Sequence, residues 1–173
     1  GERLTVGYLG TYTDRPFLAR GALVNAIDGT WHPNEQWAVN SQAIVSQIDQ
    51  PGANKNGTGV WTRIDYTPSA DWRQELELTH FDRQLDFNDM GYQRRASLNE
   101  LEWTVQHQMS VDDPSSSLRG RNWSAEFQAR SNDRGDRLPN VLILNYVLQF
   151  RSGAQFFVNP YLESAGYNDL ISR

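Results

Sequence analysis

Trp72-Arg73-Gln74-Glu75-Leu76-Glu77-Leu78-Thr79-His80-Phe81-Asp82-Arg83 decides the architecture. Read with a period of two, Trp72, Leu76 and Leu78 fall on one side, and Arg73, Glu75, Glu77 and Thr79 on the other. A second stretch repeats the pattern, opposing Leu101, Trp103, Val105 and Met109 to Glu100, Glu102, Thr104, Gln106 and Gln108. Two amphipathic strands therefore flank a compact polar loop, Asp86-Phe87-Asn88-Asp89-Met90-Gly91-Tyr92-Gln93-Arg94-Arg95.

Alternation extends outward from this pair to about nine strands. Near the start, Leu4, Val6 and Tyr8 share a side. From Arg20 to Trp31, Leu23, Ile27 and Trp31 oppose Ala26, Asp28 and Thr30; from Gln36 to Ile48, Trp37, Val39, Ala43 and Val45 oppose Asn40, Gln42 and Ser46. Val60, Ile64 and Tyr66 oppose Arg63 and Asp65 in the next strand. Three further strands are expected from Asn122 to Ser131, from Leu138 to Arg151, and from Ala154 to about Leu162, the last interrupted by Pro160. The expected fold is an all-β, antiparallel up-and-down meander over residues 1–173, forming a single β-barrel domain or a barrel segment.

Composition narrows the function classes. The chain is 38% hydrophobic and 12% aromatic, so its apolar content sits in large rings more than in aliphatic runs. A net charge of −5 and a single lysine, Lys55, argue against a nucleic-acid groove. Without cysteine there is no disulfide framework, thiolate nucleophile or zinc–thiolate site. No run approaches the roughly 18 apolar residues of a spanning helix, and no signal peptide is present, which leaves strand-wise crossing open. The chain starts at Gly1 without Met, which suggests processed material or an excerpt from a longer protein.

An alternating meander can be a soluble sandwich or lipocalin-like barrel with its apolar face inside, or a transmembrane barrel with that face toward lipid. Three features favour the second. The strands are long enough to cross a bilayer when tilted. Tight turns at Pro33-Asn34, Pro68-Ser69-Ala70 and Ser152-Gly153 fall at one end, and the longer loops Thr13 to Ala19, Asp49 to Thr58, the Asp86–Arg95 motif and Asn132 to Arg137 at the other, with Ser110 to Arg119 as an exception. Aromatic residues mark the tight-turn end: Trp31, Trp37, Tyr66, Trp72 and Phe150, with Phe156 beside them, form an expected interfacial girdle. The opposite face must then line the lumen with Asp28, Arg63, Asp65, Arg73, Glu75, Glu77, Glu100 and Glu102.

The Asp86–Arg95 run after a strand resembles a hallmark of bacterial envelope proteins grouped as domain-of-unknown-function family 5916. Ala26-Ile27-Asp28, leading through Asn34-Glu35-Gln36-Trp37 to Ser46-Gln47, is similar to another part of that domain. The resemblance implies an outer-membrane-type β-barrel, commonly preceded by a domain resembling family 9 carbohydrate-binding modules. No such module lies in this chain, and Leu170-Ile171-Ser172-Arg173 lacks the usual terminal aromatic of outer-membrane barrels; the expectation is an internal portion of a longer barrel.

Within the motif, Phe87, Met90 and Tyr92 are expected to pack the base of a rim loop, with Gly91 allowing a tight bend and Arg94-Arg95 pairing with Asp86 or Asp89. Asn88 and Asp89 complete the rim set. His32, His80 and His107 have no ligand spacing, and neither metal nor cofactor is expected. Glu75, Glu77, Glu100 and Glu102 share a face and could supply a glycosidase pair, which needs carboxyls about 5–10 Å apart; arginine-neutralised lumen lining is the simpler reading. Asp112-Asp113 and Asn132-Asp133-Arg134-Gly135-Asp136 do not reproduce an EF-hand and read as solvated loops. The functional expectation is passage or docking of a polar solute such as a saccharide in the outer membrane. Expected partners are membrane lipid, further barrel strands and an N-terminal sugar-binding module outside the chain. The alternatives are a soluble periplasmic or extracellular glycan-binding β-domain and an envelope hydrolase using lumenal carboxylates.

Overall fold

Alternating sequence produces strand almost end to end in the computed structural model, which describes residues 3–89, 93 and 95–167. Ten strands form one antiparallel sheet: β1 (Leu4–Arg15), β2 (Arg20–Asn34), β3 (Trp37–Asp49), β4 (Lys55–Ser69), β5 (Trp72–Phe81), β6 (Leu98–Ser110), β7 (Leu118–Ser131), β8 (Val141–Phe150), β9 (Gln155–Val158) and β10 (Tyr161–Glu163). Each of the first eight pairs with its sequence neighbours, as a meander requires. A short 3-10 turn, Pro16–Leu18, is the one helical element among the described residues.

The ninth expected strand is two pieces. β9 pairs with Tyr146 to Gln149 and β10 with Val141 to Ile143, both on β8. Pro160 separates them because it has no N–H to give the ladder, while its carbonyl still accepts from Leu144 N at 3.0 Å. Among the described strands β1 pairs only with β2, and β10 only with β8, so the sheet stays open.

Connections alternate between two ends. Residues 35–36, 70–71, 111–117 and 151–154 lie at one end, and 16–19, 50–54, 82–97 and 132–140 at the other. Several turns are shifted from their sequence-based positions, because β2 and β4 continue through Pro33-Asn34 and Pro68-Ser69 with register shifts next to the turns. β1 likewise continues to Arg15 and β4 begins at Lys55, which shortens two of the expected long loops. The length asymmetry therefore rests on residues 82–97 and 132–140.

Register fixes the two faces. One row runs Leu4–Trp31–Val39–Ile64–Leu76–Trp103–Phe127–Leu142, and every neighbouring row on this side has the same parity. From the level of Trp72 to that of His80, about 26 Å along a strand, this face carries no Asp, Glu, Lys or Arg among the described residues. Its side chains are exposed: Trp103 is 43%, Leu78 41% and Phe127 37% accessible. The other face is concave, since Trp61 of β4 and Tyr161 of β10 line one cavity.

The packed apolar cluster lies on the concave side. Val24, Ala26 and Ile44 are buried there with Leu85, which comes from the loop 82–97 and is 2% exposed; Phe81 and Phe87 pack against the cluster. Gly57 and Gly59 on β4 make this possible. A Cβ on Gly57 would run into the Leu85 and Gln84 backbone, and one on Gly59 would stand 2.7 Å from Leu85 Cδ2 and Phe81 Cδ1. Leu85→Ala should destabilise the protein by about 2–5 kcal/mol in denaturant unfolding. Gly57→Ala should unseat the loop, seen as faster tryptic cleavage after Arg83 with the sheet spectrum retained.

Candidate functional site

All eight residues expected on the polar side share the concave face. The register Asn40–Arg63–Glu77–Glu102–Gln128 and the adjacent Ala38–Asp65–Glu75–Thr104–Glu126 carry most of them. Arg63 bonds Glu75 at 2.6 Å and Asp65 at 3.2 Å; Arg73 reaches Asp65 at 3.0 Å and Glu75 at 3.6 Å. Two arginines and two acids thus close a balanced network across β4 and β5. Asp28 stands apart, exposed and leaning over Gly7 of β1.

Further along the face the balance changes. Arg130 spends its guanidinium on the Pro139 carbonyl at 2.9 and 3.1 Å, with Glu100 at 4.0 Å. Glu102 and Glu126 both accept from the neutral amide of Gln128, at 3.1 and 2.7 Å. Tyr161 donates to Glu163 at 3.0 Å. Arg130, Pro139, Glu100, Tyr161 and Glu163 border a cavity of about 640 Å³ between β4, β5, β6, β10 and the loop 82–97, walled also by Trp61, Phe81, Phe87 and Tyr167.

The loop itself corrects the rim reading. It starts at the long-loop end but folds back onto the concave face, because Leu85 finds there a depression that two glycines open on β4. Asp82 clamps its entry, accepting from Thr58 N at 2.6 Å, Thr58 Oγ1 at 2.8 Å, Gln84 N at 2.7 Å and Leu85 N at 2.8 Å. Asp86 N donates to Ser46 Oγ, a fully buried hydroxyl. Asp86 and Asp89 have Arg20 and Arg15 as partners: Arg20 Nη2 lies 3.1 Å from Asp86 and 2.7 Å from Asp89, and Arg15 Nε 3.1 Å from Asp89. Asn88 bonds Asp86 and Gln93, and Gln93 donates to the Leu85 and Arg95 carbonyls. Arg95 joins the cavity wall. Met90, Gly91, Tyr92 and Arg94 lie outside the described residues.

On the convex face the aromatic rings at the tight-turn end form two contact groups. Trp37 stacks on Tyr66 with centroids 4.2 Å apart; Trp72 lies 4.3 Å from His107 and 5.5 Å from Trp123. Tyr146 follows Trp123 in the register, and Trp31 and Phe150 stand at the same end. His80 bonds Asn99 at 2.6 Å. No group of three His, Asp or Glu side chains in metal-binding geometry occurs among the described residues. Asp113 is engaged by Ser115, and Asn132 by the backbone and side chain of its own loop.

The family profile of Domain of unknown function (DUF5916) matches residues 5–171. The chain belongs to this family. No curated protein and no solved structure matches it. The match spans the sheet from β1 onward, together with the folded-back loop that carries the family-like run.

Sequence reasoning missed Leu85, Trp61, the pair Arg15 and Arg20, and the C-terminal wall of Tyr161, Glu163 and Tyr167. For Leu85 a signal existed: Gly57 and Gly59, two apart on one strand, leave a gap in the concave face that something must fill.

Acid should undock the loop. Burial pushes the Asp82 and Asp86 carboxyls up. The hydrogen bonds to Asp82 from Thr58, Gln84 and Leu85, and to Asp86 from Asn88 and Arg20, outweigh burial and hold both below the ordinary aspartate value of 3.8. Folded-state values below the unfolded ones stabilise docking at higher pH, and that stability is lost as pH falls through the folded values. With no native cysteine to interfere, a nitroxide on Gln84→Cys should stay immobile at neutral pH and gain mobility only below about pH 4.

Proposed function

We propose that the chain forms part of an outer-membrane-type β-barrel in a bacterial envelope, with its convex face toward lipid and its concave face lining a polar interior that passes or docks a polar solute. The observation that carries this reading is the uncharged, exposed apolar band of the convex face, bounded at the tight-turn end by the Trp37, Tyr66, Trp72, His107 and Trp123 girdle. A soluble barrel would curve the other way, with these rows inside and the carboxylates in water. Exposed to water, a contiguous apolar surface over eight strands would drive association; against acyl chains it is at home.

Between the levels of Trp72 and His80 every Asp, Glu and Arg side chain among the described residues lies on the concave face, and arginines meet carboxylates there, as an aqueous interior allows. The open edges at β1 and β10 are completed, in this proposal, by further strands, since unpaired backbone is not tolerated in hydrocarbon. A saccharide is the solute class suggested by the family's resemblance to barrels that follow a domain like family 9 carbohydrate-binding modules.

Reconstituted into liposomes, the full chain should show Trp103 fluorescence quenched by lipids brominated on their acyl chains; unquenched emission from a detergent-free monomer would overturn the reading. Leu78→Arg should cost about 2–4 kcal/mol of insertion stability, whereas an inward substitution such as Thr104→Arg should not.

A further inference from the structure

We infer that a groove on the convex face, at the long-loop end of β4 to β7, is a docking site for an anionic phosphate lipid, with Arg137 on the phosphate and an acyl chain along an apolar floor. The inference names a partner for the face proposed to meet lipid, and it rests on that reading for the orientation of the groove in a bilayer.

Shape follows from side-chain size. On β7 the large Phe127, opposite Trp103 of β6, gives way at alternate positions to Ala129 and Ser131, which share its face. The step leaves a groove of about 580 Å³, floored by Val60, Leu78, Leu101 and Ala129 and bounded beyond β7 by the loop 132–140. Leu78 and Leu101 are exposed in it. An unfilled depression forfeits dispersion contacts, and a narrow, flexible acyl chain restores them.

One end of the groove is polar. Register joins Val60, His80, Asn99 and Ser131 in a single row, and an isolated bridge sets Arg137 opposite Ser131. Residues paired in this way share a face, so Arg137 belongs to the convex side, at the rim of the uncharged band. Asn99 Nδ2 donates to the Asn132 carbonyl at 3.0 Å, which leaves Asn99 Oδ1 to accept from His80 Nδ1–H at 2.6 Å. The row thus satisfies itself internally. The guanidinium of Arg137, an exposed residue, has no hydrogen bond or ion pair among the described residues.

Charge sets the sign of the partner. The formally charged residues lining the groove are Glu100, Arg130 and Arg137. Glu100 and Arg130 face each other in register on the concave side, 4.0 Å apart, and offset one another. Arg137 is the excess. The acids of its own loop are engaged, Asp133 by Arg83 and Ser97, and Asp136 by the Asn132 amide. In a bilayer, the end of an uncharged band is where hydrocarbon gives way to headgroups, and the anionic groups at that depth are phosphates. A guanidinium matches phosphate oxygens in its two-pronged geometry.

Dioctanoyl phosphatidic acid and dioctanoyl phosphatidylcholine share their chains, but choline masks the phosphate of the second. Calorimetric titration of the full chain in detergent should show the phosphatidic acid binding about tenfold more tightly, as expected for a hydrogen bond between charged partners. Arg137→Gln should remove that preference and Arg137→Lys should keep part of it. Arg134→Gln, in the same loop but outside the groove, should leave it unchanged. Ala129→Phe should fill the groove and weaken both lipids, and inorganic phosphate should bind about tenfold more weakly than the phosphatidic acid. Equal affinities for the two lipids, a preference that survives Arg137→Gln or falls equally with Arg134→Gln, an Ala129→Phe variant that binds both lipids as before, or inorganic phosphate as tight as the lipid would overturn the inference. The two readings fail separately: quenching of Trp103 without a phosphate preference removes the site and leaves the barrel, and the preference without quenching does the reverse.

Discussion

A strand changes face at every residue, and that constraint governs this protein more than any single contact. Because β5 and β6 pair without a bulge from Trp72–His107 to Phe81–Leu98, shifting either by one residue would turn Glu75, Glu77, Glu100 and Glu102 onto the face now occupied by Leu76, Leu78, Leu101 and Trp103. Register shifts are confined to strand ends, between Trp31 and Asn34, Tyr66 and Ser69, and Leu118 and Gly120. There the chain is turning and misplacing a side chain costs least. The long uninterrupted ladders keep charge on one side.

Segregation of this kind leaves the sheet short of a conventional core. The rows that would pack together in a sandwich face outward, and the buried apolar cluster is small: Val24, Ala26 and Ile44 around Leu85. Its members sit on the polar face, where small residues replace polar ones over part of β2 to β4. The loop 82–97 thereby converts a stretch of concave wall into packed interior, and its acids draw in Arg15 and Arg20 from the end of β1 and the start of β2. Hydrophobic insertion sets the loop's position, and the ion pairs hold its far end.

Much of this was legible in the residues. Period two gave the strands, their faces and the meander, because each strand carries its own pattern and sequential neighbours pair. The aromatic rows were legible for the same reason, although Trp123 and Tyr146 joined them only once register aligned them across β7 and β8. Non-local facts were not legible. That Asp86 and Asp89 meet Arg20 and Arg15 depends on where Leu85 anchors the loop, a consequence of two glycines some thirty residues earlier. The cavity wall joins β4 to β10, strands far apart in sequence that curvature alone brings together.

The two faces are energetically coupled. Keeping charge off the convex side between the levels of Trp72 and His80 puts the Asp, Glu and Arg residues of that band on the concave one, where acids outnumber the arginines able to meet them. Compact networks form first where geometry is best, as Arg63 and Arg73 do with Asp65 and Glu75. Each arginine so committed is withdrawn from the rest of the face. The surplus therefore cannot spread evenly: it collects from β5 onward, at Glu77, Glu102, Glu126 and Glu163, of which Glu77 and Glu163 line the aromatic cavity. Replacing these four acids by apolar residues would relieve the repulsion with little harm to the ladder, since none of them is needed for strand pairing. Their presence is a property of the interior surface, not a requirement of the sheet, and it gives that surface a sign.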